Sequence, residues 1–164
     1  MATANLEDVY AALLQDMVSA DEQSLDLTER LRDAATSDDL RDALEDGVCG
    51  IGDGLELVQK LSEAHPVEES DYKSDGMSGL VADTQERVFE TDFANETARD
   101  AAILAQYMHL TYYGLAGYRT LAAIASQLGF ADEAEDLQTC YENAQDGQDD
   151  MIGLLDGTLL EGAS

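Results

Sequence analysis

The stretch AAILAQYMHLTYYGLAGY, Ala101 to Tyr118, contains no charged side chain, in a chain where 27% of residues are charged. Ile103, Tyr107, Leu110, Thr111, Gly114 and Tyr118 recur in it at helical spacing, and the stripe continues through Leu121, Ala125 and Leu128. The segment is long enough to span a bilayer. Its tyrosines, Gln106, His109 and Thr111 make it too polar to do so, and no second apolar segment accompanies it. A helix that is apolar on every side must be covered on every side. One face belongs inside a bundle. The opposite face, with Ala102, Ala105, His109, Tyr112, Tyr113 and Ala116, needs a second cover, and a symmetric copy of the chain is the simplest source. A homodimer built on this helix is expected.

Outward from this segment the period stays helical. Asn95 suits the N-cap of a long helix running to Gly129. Before it, Leu6, Tyr10, Leu13, Met17, Ser24, Thr28 and Leu31 trace a first helix over about 5–35. Thr36 or Ser37 can cap a second, with Asp38 and Asp39 at the positive end of its dipole. Its stripe is Leu40, Leu44, Gly47, Ile51, Gly54, Val58 and Leu61, stopping before Pro66. Val67 to Gly79 reads as a linker, followed by a short helix over about 80–90. A fourth long helix starts near Ala131 and carries Leu137, Tyr141, Ala144, Gln148, Ile152 and Leu155, with a frayed tail over about 157–164. The expected fold is all-α: one domain over 1–164, an antiparallel four-helix bundle. A long crossover carrying a short extra helix joins helices two and three, the wiring of ferritin-like bundles.

The surface is extremely acidic. The 164 residues hold 36 Asp and Glu against 8 Lys and Arg, a formal charge of −28, and lysine is represented by Lys60 and Lys73 alone. Phosphate backbones and anionic membranes need clustered basic residues, so neither nucleic acid nor a membrane surface is an expected partner. Like charge of this density pushes a compact state apart in ordinary salt, and molar salt, with a Debye length of about 3 Å, removes most of that repulsion. The reading is a cytoplasmic protein of a salt-accumulating halophile. MATANLEDVY has no basic leader region. Cys49 and Cys140 stand apart from any CxxC or nearby His and are read as reduced, partly buried thiols.

Chemistry in such a bundle would sit at mid-core, where a di-metal centre needs carboxylates from each helix with His or Glu at i, i+3 spacing. Those positions hold Asp21 on helix one, Gly47, Gly50 and Gly54 on helix two, Thr111 and Gly114 on helix three, and Ala144 and Gln148 on helix four. One carboxylate cannot neutralise two hard cations, so no metal and no cofactor is expected. The run GVCGIGDG, Gly47 to Gly54, costs about 1 kcal/mol per glycine relative to Ala in a helix, a cost tolerated where something bulky must approach the backbone. Tyr107, Tyr118 and Tyr141 are expected to fill the centre against these glycines, flanked by Tyr112 and Tyr113. Gln148, Thr111 and Asp21 are available for their hydroxyls. A break or loop at the glycine run is the alternative. His65, before Pro66, caps a helix end, and His109 lies on the dimer face or in solvent. No nucleophile elbow supports a triad, and no glycine loop with a following Lys supports a nucleotide site.

Four stretches together carry a family resemblance: LEDVYAALLQDMVSADEQ (Leu6 to Gln23), RDAAILAQY (Arg99 to Tyr107), AGYRTLAAIASQLG (Ala116 to Gly129) and AEDLQ (Ala134 to Gln138). The chain resembles the YciF-like family of ferritin-like proteins, whose role is linked to stress. The resemblance implies a dimeric bundle with a short helix in its crossover. At the family's metal-ligand positions the sequence departs: Asp21 is shortened from Glu, the helix-two positions read Gly47, Gly50 and Gly54, the helix-three run reads Thr111, Tyr112, Tyr113, Gly114, and helix four offers Asn143, Ala144 and Gln148. The leading expectation is a non-catalytic, metal-free homodimer with a structural or interaction role. Its rivals are residual single-cation or iron-oxidising chemistry using Asp21, Gln148 and tyrosine hydroxyls, and a small-ligand carrier should the glycine and tyrosine centre leave a cavity.

Overall fold

A computed structural model describes residues 4–68 and 71–161. Its helices are α1 (Leu6–Ala34), α2 (Asp38–Ala64), α3 (Asp75–Thr84), α4 (Glu96–Leu128) and α5 (Ala131–Asp156), and α3 continues into a π-helical turn over Gln85–Phe89. The ends follow from local chemistry. Asn5 and Asp8 close a reciprocal capping box at α1. Ser37 Oγ and Asn95 Oδ1 accept the Leu40 and Ala98 amides at the starts of α2 and α4. Gly129, at φ 83°, takes the left-handed conformation that ends α4.

Hairpins α1–α2 and α4–α5 pack side by side, α1 against α4 and α2 against α5. Asp100, in the second turn of α4, accepts the Thr36 amide at 2.8 Å, the Thr36 hydroxyl at 2.7 Å and the Ser37 amide at 2.7 Å. That clamp places the start of α4 at the start of α2, so the two run parallel and the crossover must travel the length of the bundle. The result is the expected ferritin-like antiparallel four-helix bundle with a crossover helix. α2 is continuous through Gly47 to Gly54, so the alternative of a break there is not taken.

The apolar core falls into two clusters. One, around Leu27, Leu31, Leu40, Leu44, Ile103 and Met151, fills the end near the Asp100 clamp. The other, around Tyr10, Leu14, Val58, Leu61, Leu121 and Leu137, fills the opposite end. There Tyr10 donates to Glu133 Oε2 at 2.6 Å, and His65, which ends α2, meets Glu133 Oε1 at 2.9 Å and sits edge-on to Tyr10.

Three local expectations are corrected. The crossover helix begins at Asp75 instead of about 80, because Ser74 Oγ caps it and Gly76 lies against the Tyr113 ring. Gly76 therefore marks a close contact within a helix and not a linker. Beyond Asp156 the described residues 157–161 form turns, with Leu159 packed on the first core cluster; residues 162–164 of the expected frayed tail, and 69–70 of the linker, lie outside the described residues. Of the thiols, Cys140 is partly buried but Cys49 is exposed, on the outer side of the glycine run.

Candidate functional site

Between the two clusters the inner faces turn polar. Gly47 and Gly54 each receive a tyrosine: a Cβ at 47 would stand 2.1 Å from the Tyr107 hydroxyl oxygen, and one at 54 would stand 2.2 Å from that of Tyr118. These are the ring-on-glycine contacts expected from the sequence. Tyr118 donates its hydroxyl to Asp21 Oδ2. Burial lifts the Asp21 carboxyl from 3.8 to about 7, against the opposing pull of that hydrogen bond. Burial, with Asp46 nearby, pushes the Tyr107 phenol up to about 12, so it stays a neutral hydroxyl.

Thr111 and Gln148 meet, but each other and not a tyrosine. Thr111 Oγ1 lies 2.7 Å from Gln148 Oε1 and 2.9 Å from the Tyr107 carbonyl. A single hydroxyl proton serves only one of these acceptors. Gln148 is 2% exposed, and its Nε2 has no hydrogen-bond partner among the described residues. The pair is a polar bridge between α4 and α5 that leaves one buried amide donor unpartnered among the described residues.

The centre is not packed shut. A cavity of about 650 Å³ opens between α2 and α5, with walls also from α1 and α4. Tyr107 and Tyr118 form its floor with Leu110, Ile51 and Leu154, and Asp21 lies in its wall. Gly50, Gly114 and Gly147, from three different helices, line it, and a Cβ on any of them would meet nothing within 4 Å. Cys140, whose thiol burial and the nearby Asp21 push up to about 11, also faces it.

Tyr141 and the outer tyrosines are placed differently from expectation. Tyr141 is partly buried at the margin of the second cluster and does not line the cavity. Its neighbour Cys140 does, because the stripe of α5 is turned by one residue. Tyr113 belongs to the chain's own interior: its hydroxyl reaches Asp16 and Ser74 Oγ, under the crossover. Ala102 packs on the first cluster, and neighbouring Gln106 accepts from Thr84 at 3.0 Å. The crossover thus supplies part of the cover expected of a second copy. Ala105, His109 and Ala116 are exposed, and Tyr112 is 52% exposed.

Sequence reasoning passed over Gly147 and the aspartates Asp39, Asp46, Asp53, Asp146 and Asp150 as cavity residues. The signal was present: small residues at Ala144 and Gly147 of α5 share a gap with Gly50 of α2. Among the described residues no three His, Cys, Asp or Glu side chains come together at a distance to hold a metal ion.

Four long helices, a crossover helix and a polar belt between two apolar clusters define a ferritin-like bundle. The chain belongs to the family described as Domain of unknown function (DUF892), which matches residues 5–164. It is 30% identical over 143 residues to protein YciF of Escherichia coli K12, covering 87% of this chain and 85% of that one. The crystal structure of the E. coli stress protein YciF matches with a TM-score of 0.85 at 25% identity, over 98% of this chain and 99% of that chain. YcfI from Rhodopseudomonas palustris shares the fold, with a TM-score of 0.82 at 24% identity over 91% and 94%. The YciF-like resemblance in the sequence is therefore that of a family member. No helix among the described residues is long and apolar enough to cross a membrane.

Proposed function

We propose that this protein is a non-catalytic bundle of the YciF type, a homodimer with a structural or interaction role linked to stress. The observation that carries the reading is the donor set at mid-core. Asp21 is the lone carboxylate buried there, and it already accepts from Tyr118. Tyrosine rings and bare glycines stand where a metal pair would need oxygen and nitrogen ligands. These residues do not fit a pair of hard cations. Metal analysis of protein purified from its own host, with an Fe(II) oxidation assay, tests this: two metals per subunit or measurable oxidation would overturn it.

The dimer rests on the exposed, uncharged remainder of the α4 face, Ala105, His109, Tyr112 and Ala116. A Tyr112→Glu substitution should convert a dimer in light scattering to a monomer with unchanged helicity; a wild-type monomer in high salt refutes the arrangement. The charge of −28 supports adaptation to molar salt in a cytoplasmic setting, for which dialysis to low salt should unfold the chain. A second reading, a small-ligand carrier, is favoured by one specific observation: the cavity of about 650 Å³ at mid-bundle lies within the range of ligand sites, about 300–1,000 Å³.

A further inference from the structure

We propose that the mid-bundle cavity binds a hydrophobic organic ammonium ion, its apolar body on the tyrosine floor and its charge toward Asp21 and the acidic mouth. This rests on the carrier reading above and names its ligand class. Charge complementarity is the first argument. Asp21, Asp39, Asp46, Asp53, Asp146 and Asp150 line the cavity, and no Lys, Arg or His does. An anionic ligand would meet that field without compensation. From Asp39 to Asp53 the carboxylates are spread over about 21 Å of α2 at 1.5 Å per residue. They make a field along the mouth, not the convergent shell of oxygens a metal ion requires.

Asp21 is the second argument. Its side chain is 5% exposed and lines the cavity; Oδ2 is taken by Tyr118, while Oδ1 accepts no hydrogen bond among the described residues and keeps its access to the cavity, where a positive charge can pair with it. The third argument is the floor. Tyr107 and Tyr118, with Ile51, Leu110 and Leu154, offer aromatic and aliphatic surface, and aromatic surface beside a cation is favourable when desolvated. An ammonium ion with an aromatic or branched body satisfies floor and wall together, whereas a strongly hydrated inorganic cation leaves the floor bare.

The test is a fluorescence titration of the full chain at pH 8.5, where Asp21 is ionised, in 2 M KCl, with three probes sharing one fluorophore: dansylcadaverine (cationic), dansylamide (neutral) and dansylglycine (anionic). Any cation gathers near a surface of this charge, so the control must leave net charge unchanged. Gly50→Leu does so while filling the cavity, and Gly147→Leu from the facing helix serves if the first fails to fold. Dansylcadaverine should bind at least tenfold more tightly than dansylamide, dansylglycine should not bind, and either leucine variant should remove dansylcadaverine binding. Asp21→Asn should weaken dansylcadaverine at least fivefold and leave dansylamide within twofold. Equal affinity for the cationic and neutral probes, both lost in Gly50→Leu, would overturn the ammonium class while leaving a ligand-binding cavity. Binding that survives both leucine variants, or no binding of any probe, would overturn the proposal and the carrier reading together.

Discussion

Replacing Asp21 with Asn should change how the stability of this bundle depends on pH. The carboxyl is 5% exposed, and its pKa rises from 3.8 to about 7 on folding, chiefly through burial. An acid that holds its proton more tightly when folded stabilises the native state fully below the unfolded value. That stabilisation is lost as pH rises toward the folded value, above which the native state must carry a buried charge. At about 1.4 kcal/mol per pH unit, the interval from 3.8 to about 7 corresponds to about 4 kcal/mol, of which about 3 kcal/mol falls above pH 5. The other acidic side chains titrate across much of the same range and dominate any raw pH profile. They are shared by wild type and variant, so the difference between the two isolates Asp21. Urea unfolding followed by far-UV circular dichroism, in 2 M KCl to suppress surface repulsion, measures it at pH 5 and pH 8. The gap should move by about 3 kcal/mol in favour of Asp21→Asn as pH rises. A gap constant to within about 0.5 kcal/mol would mean that the carboxyl titrates normally, in contact with solvent, and would refute the reasoning.

Substitutions at three further positions test the packing of the glycines and the clamp at the head of α4. Gly50→Ala should stabilise the bundle by about 0.5–1 kcal/mol, since Ala is the better helix former and its Cβ meets nothing within 4 Å. Gly47→Ala, one turn earlier in the same helix, should destabilise by about 1–3 kcal/mol because its Cβ would overlap the Tyr107 hydroxyl. Thermal melts that rank the two the other way would refute the tyrosine-on-glycine packing. Asp100→Ala should cost about 3 kcal/mol by leaving the Thr36 and Ser37 amides without their acceptor, with Asp100→Asn costing less; a loss under about 0.5 kcal/mol would show the clamp to be idle.

Much of the frame was legible because helix ends and stripes are written locally. Ser37, Asn95 and Gly129 announce caps by residue type, and the stripes of Leu40 to Leu61 and Ile103 to Leu128 have one period throughout. The crossover was harder. Ser74 and Gly76 look like a linker until Tyr113, nearly 40 residues later, is known to lie against Gly76. Tyr107 and Tyr118 could be matched to the glycines by bulk against absence of bulk, a complementarity that sequence carries. Tyr141 could not be separated from Cys140, since a one-residue turn of a helix moves a side chain by about 100° and both sit beside the same stripe. The cavity was hidden for a different reason. Glycine reads as room for a neighbour, and only the structure tells which glycines have one.

That distinction bears on why the cavity exists. Gly47 and Gly54 are accounted for by contact, because any side chain there would displace a tyrosine. Gly50, Gly114 and Gly147 have no such account: they make no tight approach, none has a positive φ, and each weakens its helix by about 1 kcal/mol relative to Ala. Leucine at any of the three would begin to close the gap and extend the apolar core across the polar belt. The two clusters pack apolar side chains without drawing on these three glycines, and larger apolar residues there would narrow the cavity at a gain in buried surface. The cavity is bordered by Asp21, whose Oδ1 faces it, and by five aspartates at the mouth, features that resist apolar filling and suit a cationic guest. In the proposed complex, Asp21 is the buried group that meets the guest's positive charge.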